Sequence, residues 1–105
     1  MIKVNVDAGI CGFKSEITAK SDDGQNADIS FKTDCPNLKP LEEILSSIDG
    51  FTECFGKIST TKAYKLAGSH VKHPACPVPC GIVKAVEAAC GFALPKDAII
   101  TVKKI

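Results

Sequence analysis

The chain has almost no net charge: 13 Lys plus Arg against 12 Asp plus Glu leave +1 over 105 residues. That balance carries no electrostatic footprint for nucleic acid. No run approaches the roughly 18 consecutive apolar residues of a membrane span. A Gly-rich phosphate loop, a Cys-x-x-Cys redox pair and a helical His pair around a Glu are all missing. Tryptophan is absent, and tyrosine and methionine occur once each. The opening Met1–Asp7 alternates like a strand and has no apolar run of the signal-peptide kind, so a soluble cytoplasmic protein is expected. At this length the chain is one domain, residues 1–105, and its 45% hydrophobic and 24% charged residues are an ordinary globular balance.

Cysteine is what the sequence has in excess, with six in all. A secreted mini-domain of this kind would read as three disulfides. Without an export signal, a reducing compartment favours metal binding or thiol chemistry instead. The plainer alternative is that some are small buried hydrophobes.

The hydropathy pattern orders the elements. Ile2, Val4 and Val6 alternate into a first strand, Gly9–Gly12 is a glycine-flanked loop, and Phe13–Lys20 and Ala27–Thr33 form a hairpin about the turn at 21–26. Leu41, Ile44, Leu45 and Ile48 then follow helical spacing, with Pro40 in the first turn and Gly50 as the stop. Phe51–Gly56 reads as a connection, and Ser59 or Thr60 caps a modest helix to Gly68. Pro79 opens a last helix with Ile82, Val83, Val86 and Ala89 on its apolar face and Gly91 beyond it. Ala98, Ile100 and Val102 read as a closing strand. The order βββαααβ predicts an α+β domain, a mainly antiparallel sheet with helices packed on one face.

Five of the cysteines fall at boundaries between these elements. Cys11 lies in the glycine loop, where free backbone N–H groups can face a thiolate. Cys35 stands where a strand gives way to a helical segment, a position that favours the thiolate. Cys76 and Cys80 are separated by three residues, a spacing that can chelate one tetrahedral ion, in a loop stiffened by Pro74, Pro77 and Pro79. Cys54 is equally readable as ligand or filler, and His73 as a reserve nitrogen ligand. Cys90 shares the apolar face of the last helix with Val83 and Val86, which marks it as a core thiol.

Gly9-Ile10-Cys11-Gly12, a hairpin, Phe31–Cys35, and Val71-Lys72-His73 with Cys76 before an Ala-rich helix together resemble the NifU/IscU-type iron–sulfur scaffold. That resemblance implies a cluster held by three loop cysteines beside a sheet. The same stretch, roughly residues 9 to 90, is similar to the small TSCPD domain, which would add Cys54 to Cys11, Cys35 and Cys76. The scaffold's Asp two residues after its first Cys is Phe13 here, two residues separate His73 from Cys76, and its chaperone-recognition segment becomes Gly68–Lys72. These departures favour a stable site over a transfer site.

The expectation is a small protein holding a zinc ion or an iron–sulfur cluster on Cys11, Cys35, Cys76 and Cys80, with Cys54 and His73 in reserve. It is a binding rather than an enzymatic role, with a metal or cluster and a protein partner as its company, and neither nucleic acid nor membrane. Two rivals stand beside it. One is a thiol-redox protein with Cys35 as nucleophile resolved by Cys76 or Cys80. The other is an interaction module whose cysteines are core.

Overall fold

A computed structural model describes residues 1–105. Three strands, β1 (Ile2–Asp7), β2 (Lys14–Lys20) and β3 (Asn26–Thr33), form an antiparallel meander in the expected places. Alternation sets the register. Ser15, Ile17 and Ala19 of β2 and Ala27, Ile29, Phe31 and Thr33 of β3 are buried. Lys3, Asn5, Asp7, Lys14, Asp28 and Lys32 face water from the other side. Helix α4 (Val78–Ala89) covers the inner face, burying Val78, Ile82, Ala85 and Val86. Gly81 makes its close approach to the sheet possible: a Cβ there would meet Val6 Cγ2 at 2.5 Å. The fold is therefore α+β, with the helices on one face of an antiparallel sheet.

Residues 41–50 depart from the expected single helix. Leu41–Ile44 make one turn, α1, then Ser47–Asp49 become β4 beside β3, completing the sheet order β1-β2-β3-β4. Gly50 starts α2 (Gly50–Phe55) instead of stopping a helix. The spacing of Leu45 and Ile48 buries both side chains in either conformation, so periodicity could not separate them. The open edge of β3 and the Asp49 cap decide. Asp49 Oδ1 accepts the Phe51 N–H at 3.1 Å, and Thr52 Oγ1 donates to Asp49 Oδ2 at 3.0 Å.

After a 3₁₀ turn at Ile58–Thr60, helix α3 runs from Lys62 to His70. Its cap is Thr61, one residue beyond the expected Ser59 or Thr60, with Oγ1 accepting from Tyr64 N at 3.2 Å. The closing strand at Ala98–Val102 does not form. No residue after Ala89 is in a helix or strand, and every residue from Leu94 to Ile105 is exposed. The residues are strand-competent, but a strand needs a neighbouring edge to satisfy its backbone, and this segment meets none. No helix is long and apolar enough to cross a membrane.

The β2–β3 turn is organised by Asp23. Its Oδ1 accepts the N–H groups of Gln25 (2.9 Å) and Asn26 (2.8 Å), and Oδ2 accepts from Asn26 Nδ2. These donors, the Asn26 amide first, hold its carboxyl down to about 2 from an ordinary 3.8. A depressed folded-state pKa contributes stability above the unfolded value and loses it as pH falls through the folded one. In urea titrations, wild type should therefore lose stability more steeply than Asp23→Asn as pH falls from about 4 to about 2. Parallel acid profiles would mean the turn contributes nothing through Asp23.

Candidate functional site

One end of the sheet collects the loops that carry cysteine. Asp7 faces Lys14 and Ser15 faces Thr33, so the end of β1, the start of β2 and the end of β3 coincide. Val6, near that end, is the side chain against Gly81, so the start of α4 lies there too. Cys11 occupies the β1–β2 connection, a turn closed by Gly12 N–H donating to Gly9 C=O at 2.9 Å. Gly9 (φ +87°) and Gly12 (φ +75°) adopt the left-handed backbone that this turn requires.

Cys35 is held more firmly. Its N–H donates to Thr33 Oγ1 at 3.1 Å, and Thr33 Oγ1 lies 2.7 Å from the buried Ser15 Oγ. Its carbonyl accepts from Leu38 N and Lys39 N, both at 3.1 Å, which places Cys35 at the head of a short helical turn. Cys76 ends the turn at Pro74–Ala75 and precedes α4.

Cys11, Cys35 and Cys76 line one small pocket of about 40 Å³, together with His73, over a floor that includes Phe13, Leu38 and Val78. Cys35 and Cys76 are half-buried, and Cys11 and His73 are exposed. Burial pushes the Cys76 thiol up. The Val78 N–H pulls it back toward the thiolate, while Cys35 and Cys11 add repulsion. As it stands, no group of three or more His, Cys, Asp or Glu side chains converges closely enough to hold a metal ion.

Cys80 lies outside the pocket, away from its expected partners. The helix starts at Val78, which lines the pocket. Cys80, two residues on, is rotated about 200° to the other side of α4 and stands exposed beside the Tyr64 hydroxyl. The three-residue spacing from Cys76 is thus split across a helix start and does not form a chelating loop. Cys54 is also elsewhere, packed against the core near Cys90. Burial, then the charges of Glu87, Cys90 and Glu53, push its thiol up to about 11. Cys90 is buried, with its thiol 3.7 Å from the Gln25 carbonyl. All six cysteines are free.

Sequence reasoning missed the Ser15–Thr33 pair beneath the pocket. Its signal was the inward phase of two hydroxyls at facing strand ends. A wider hollow of about 670 Å³ lies among strand ends and the α1 turn and holds no cysteine. Its three lysines are mixed among four carboxylates, as in the Lys39–Glu42 pair at 3.2 Å, so it offers no cluster of one chemistry.

A family model described as a family of unknown function, DUF6951, matches residues 2–102. The chain belongs to that family. No curated protein and no solved structure matches it. For this DUF6951 member, function is read from the pocket itself.

Proposed function

We propose that the Cys11–Cys35–Cys76 pocket is a thiolate site for a soft metal, with His73 as the fourth donor, taken up as a zinc ion or as an iron–sulfur cluster. The observation that carries this reading is that three cysteines far apart in sequence line one small pocket with an imidazole beside them. Three thiolates and an imidazole are a recognised tetrahedral donor set for zinc. The space is only about 40 Å³, which favours a single ion; a cluster needs the loops to open further. Ligation requires the donors to draw closer than they stand, and the two left-handed glycines flanking Cys11 give its turn backbone freedom.

The likeness to the iron–sulfur scaffold and to the TSCPD domain supports the order of the ligands, and Phe13 in place of a carboxylate supports a retained rather than transferred metal. A reducing, cytoplasmic setting agrees with six unpaired thiols. The thiol-redox rival gains less support. Cys76, one of the two thiols that would resolve a disulfide, has its pKa raised chiefly by burial, and a protonated thiol does not attack.

The test is anaerobic purification followed by a visible spectrum and measurement of zinc, iron and acid-labile sulfide. About one zinc per chain is expected, with chelation lowering the melting temperature because binding free energy adds to folding free energy. Metal-free protein that takes up neither zinc nor iron, with six titratable thiols, overturns the proposal.

A further inference from the structure

The meander ends on an open strand. In the order β1-β2-β3-β4, β1 pairs only with β2, so its outer row of backbone donors and acceptors has no partner. Its inward side chains Ile2, Val4 and Val6 are only half-buried, unlike their neighbours Ile17 and Ala19, which are wholly buried. At the other end of the chain, Ala98–Ile105 is strand-competent sequence with nothing to pair with. Ile99 is 85% exposed, Ile100 82%, Val102 90% and Ile105 fully so. Ile100 and Val102 stand exposed on one face of the segment, where pairing in a sheet would cover them, while Ile99 and Ile105 fall on the opposite face.

We propose that two copies of this chain exchange their C-terminal segments, the Ala98–Lys103 segment of each adding as a parallel strand to the β1 edge of the other. The match is specific. Ala98, Ile100 and Val102 alternate as Ile2, Val4 and Val6 do, so three apolar side chains can extend the inner face. Two registers superpose all three. The parallel one sets Lys103 beside Asp7 on the outer face, and the antiparallel one sets Asp97 beside Asp7. Charge selects the parallel register.

The occupant is a second copy because of where the segment starts. Phe92 is stacked on Phe51 at 5.5 Å and lies 4.8 Å from Phe55, which fixes the root of the segment beside α2, on the β4 side of the sheet. A strand added to the chain's own β1 edge would lie four strand spacings from β4, about 19 Å. The six steps from Phe92 to Ala98, at most about 22 Å when fully extended, would have to run almost straight around the end of α4 to reach it. A second copy can bring its β1 edge to the root of the segment, and a two-fold axis makes the exchange reciprocal and closed.

Light scattering under reducing conditions should give twice the 11.1 kDa chain mass, and Ile100→Asp should raise the dimer dissociation constant at least about tenfold with the circular dichroism unchanged. A charge exchange tests both register and partner. Asp7→Lys and Lys103→Asp each set like charges together in both interfaces of a homodimer, and each should be largely monomeric. In a mixed pair of the two variants, each interface again joins one acidic and one basic side chain, so mixing should restore dimers containing one copy of each. Asp7 also accepts the Gly9 N–H at 3.1 Å, so a melting curve of Asp7→Lys accompanies the mixing experiment, and Lys103→Asp, which touches no such contact, carries the result alone if Asp7→Lys is unfolded. A monomeric wild type overturns the exchange, whether its tail amides exchange freely or are protected by docking on the chain's own sheet. So does a dimer indifferent to Ile100→Asp, or a mixture of folded variants that stays monomeric.

Discussion

Cys76→Ser is expected to weaken zinc binding by about 100-fold or more, and Cys35→Ser to do the same, while Cys80→Ser changes it by less than about twofold. A serine hydroxyl stays protonated at neutral pH and donates poorly to a soft ion, so a closed tetrahedral site is left one ligand short. Cys80 differs because helix geometry sets it beside Tyr64, away from the pocket. Competition against a chromophoric chelator measures all three variants on one scale. Equal losses at Cys76 and Cys80 would return Cys80 to the site and require α4 to start later than Val78.

Binding should also strengthen with pH. The metal takes the thiolate, so each coordinated thiol releases its proton, and affinity rises until the solution pH passes the pKa of the free thiol. The Cys76 thiol is pushed above its ordinary 9.0, chiefly by burial. The rise should therefore continue beyond pH 9, and in Cys76→Ser the slope of affinity against pH should fall by the one proton that Cys76 no longer gives up.

Much of this arrangement is legible in the order of residues. Strict alternation in Ile2–Val6 and Ala27–Thr33 allows one register only, because a one-residue slip would turn Ile29 and Phe31 to water. That Cys11 and Cys35 line one pocket follows from their places at strand ends, since an antiparallel meander brings alternate connections to the same end, and Cys76 joins them because it precedes α4, which starts there. Cys80 escapes such reading for a reason that sequence spacing hides. A gap of three residues chelates when both ligands share one loop or one helix face, and here the helix starts between them, with Val78-Pro79-Cys80 already its first turn. An ambiguity of period hides β4. A dependence on partners explains the expected last strand: Ala98–Val102 has the residues of a strand, but a strand is completed only by the edge it meets. Both errors concern pairings between distant segments, which local pattern does not encode.

Glu53 shows the same dependence on a distant pairing, and its loss should be the most destabilising single change in the chain's polar framework. It is only 3% exposed, in a segment that reads as a loop. Its carboxylate accepts two backbone donors at the start of α3: Lys62 N at 2.7 Å on Oε1 and Ala63 N at 2.8 Å on Oε2. These are amides that a helix start leaves without intrahelical partners, and a charged acceptor there also meets the favourable end of the helix dipole. Removing it with Glu53→Ala strands both donors, the Ala63 amide in a buried position, and loses two charge-assisted hydrogen bonds. The expected cost is about 3 kcal/mol, a large share of the roughly 5–15 kcal/mol that holds a domain together. For a chain of this size the melting temperature should fall by on the order of 10 °C or more. Glu53→Gln keeps one acceptor and sets an NH₂ group against the second amide, so it should recover at most about half of the loss. The effect should reach the pocket as well, because α3 ends at His70 and the next residue, Val71, lines the same pocket as Cys35 and Cys76. Zinc should then recover more stability in Glu53→Ala than a surface control such as Lys65→Ala gains, if closing the ligands restores what the cap had ordered. Urea unfolding with and without zinc measures both quantities, and a loss under about 1 kcal/mol in the metal-free protein would show that α3 is held by its packing on α4 and not by Glu53.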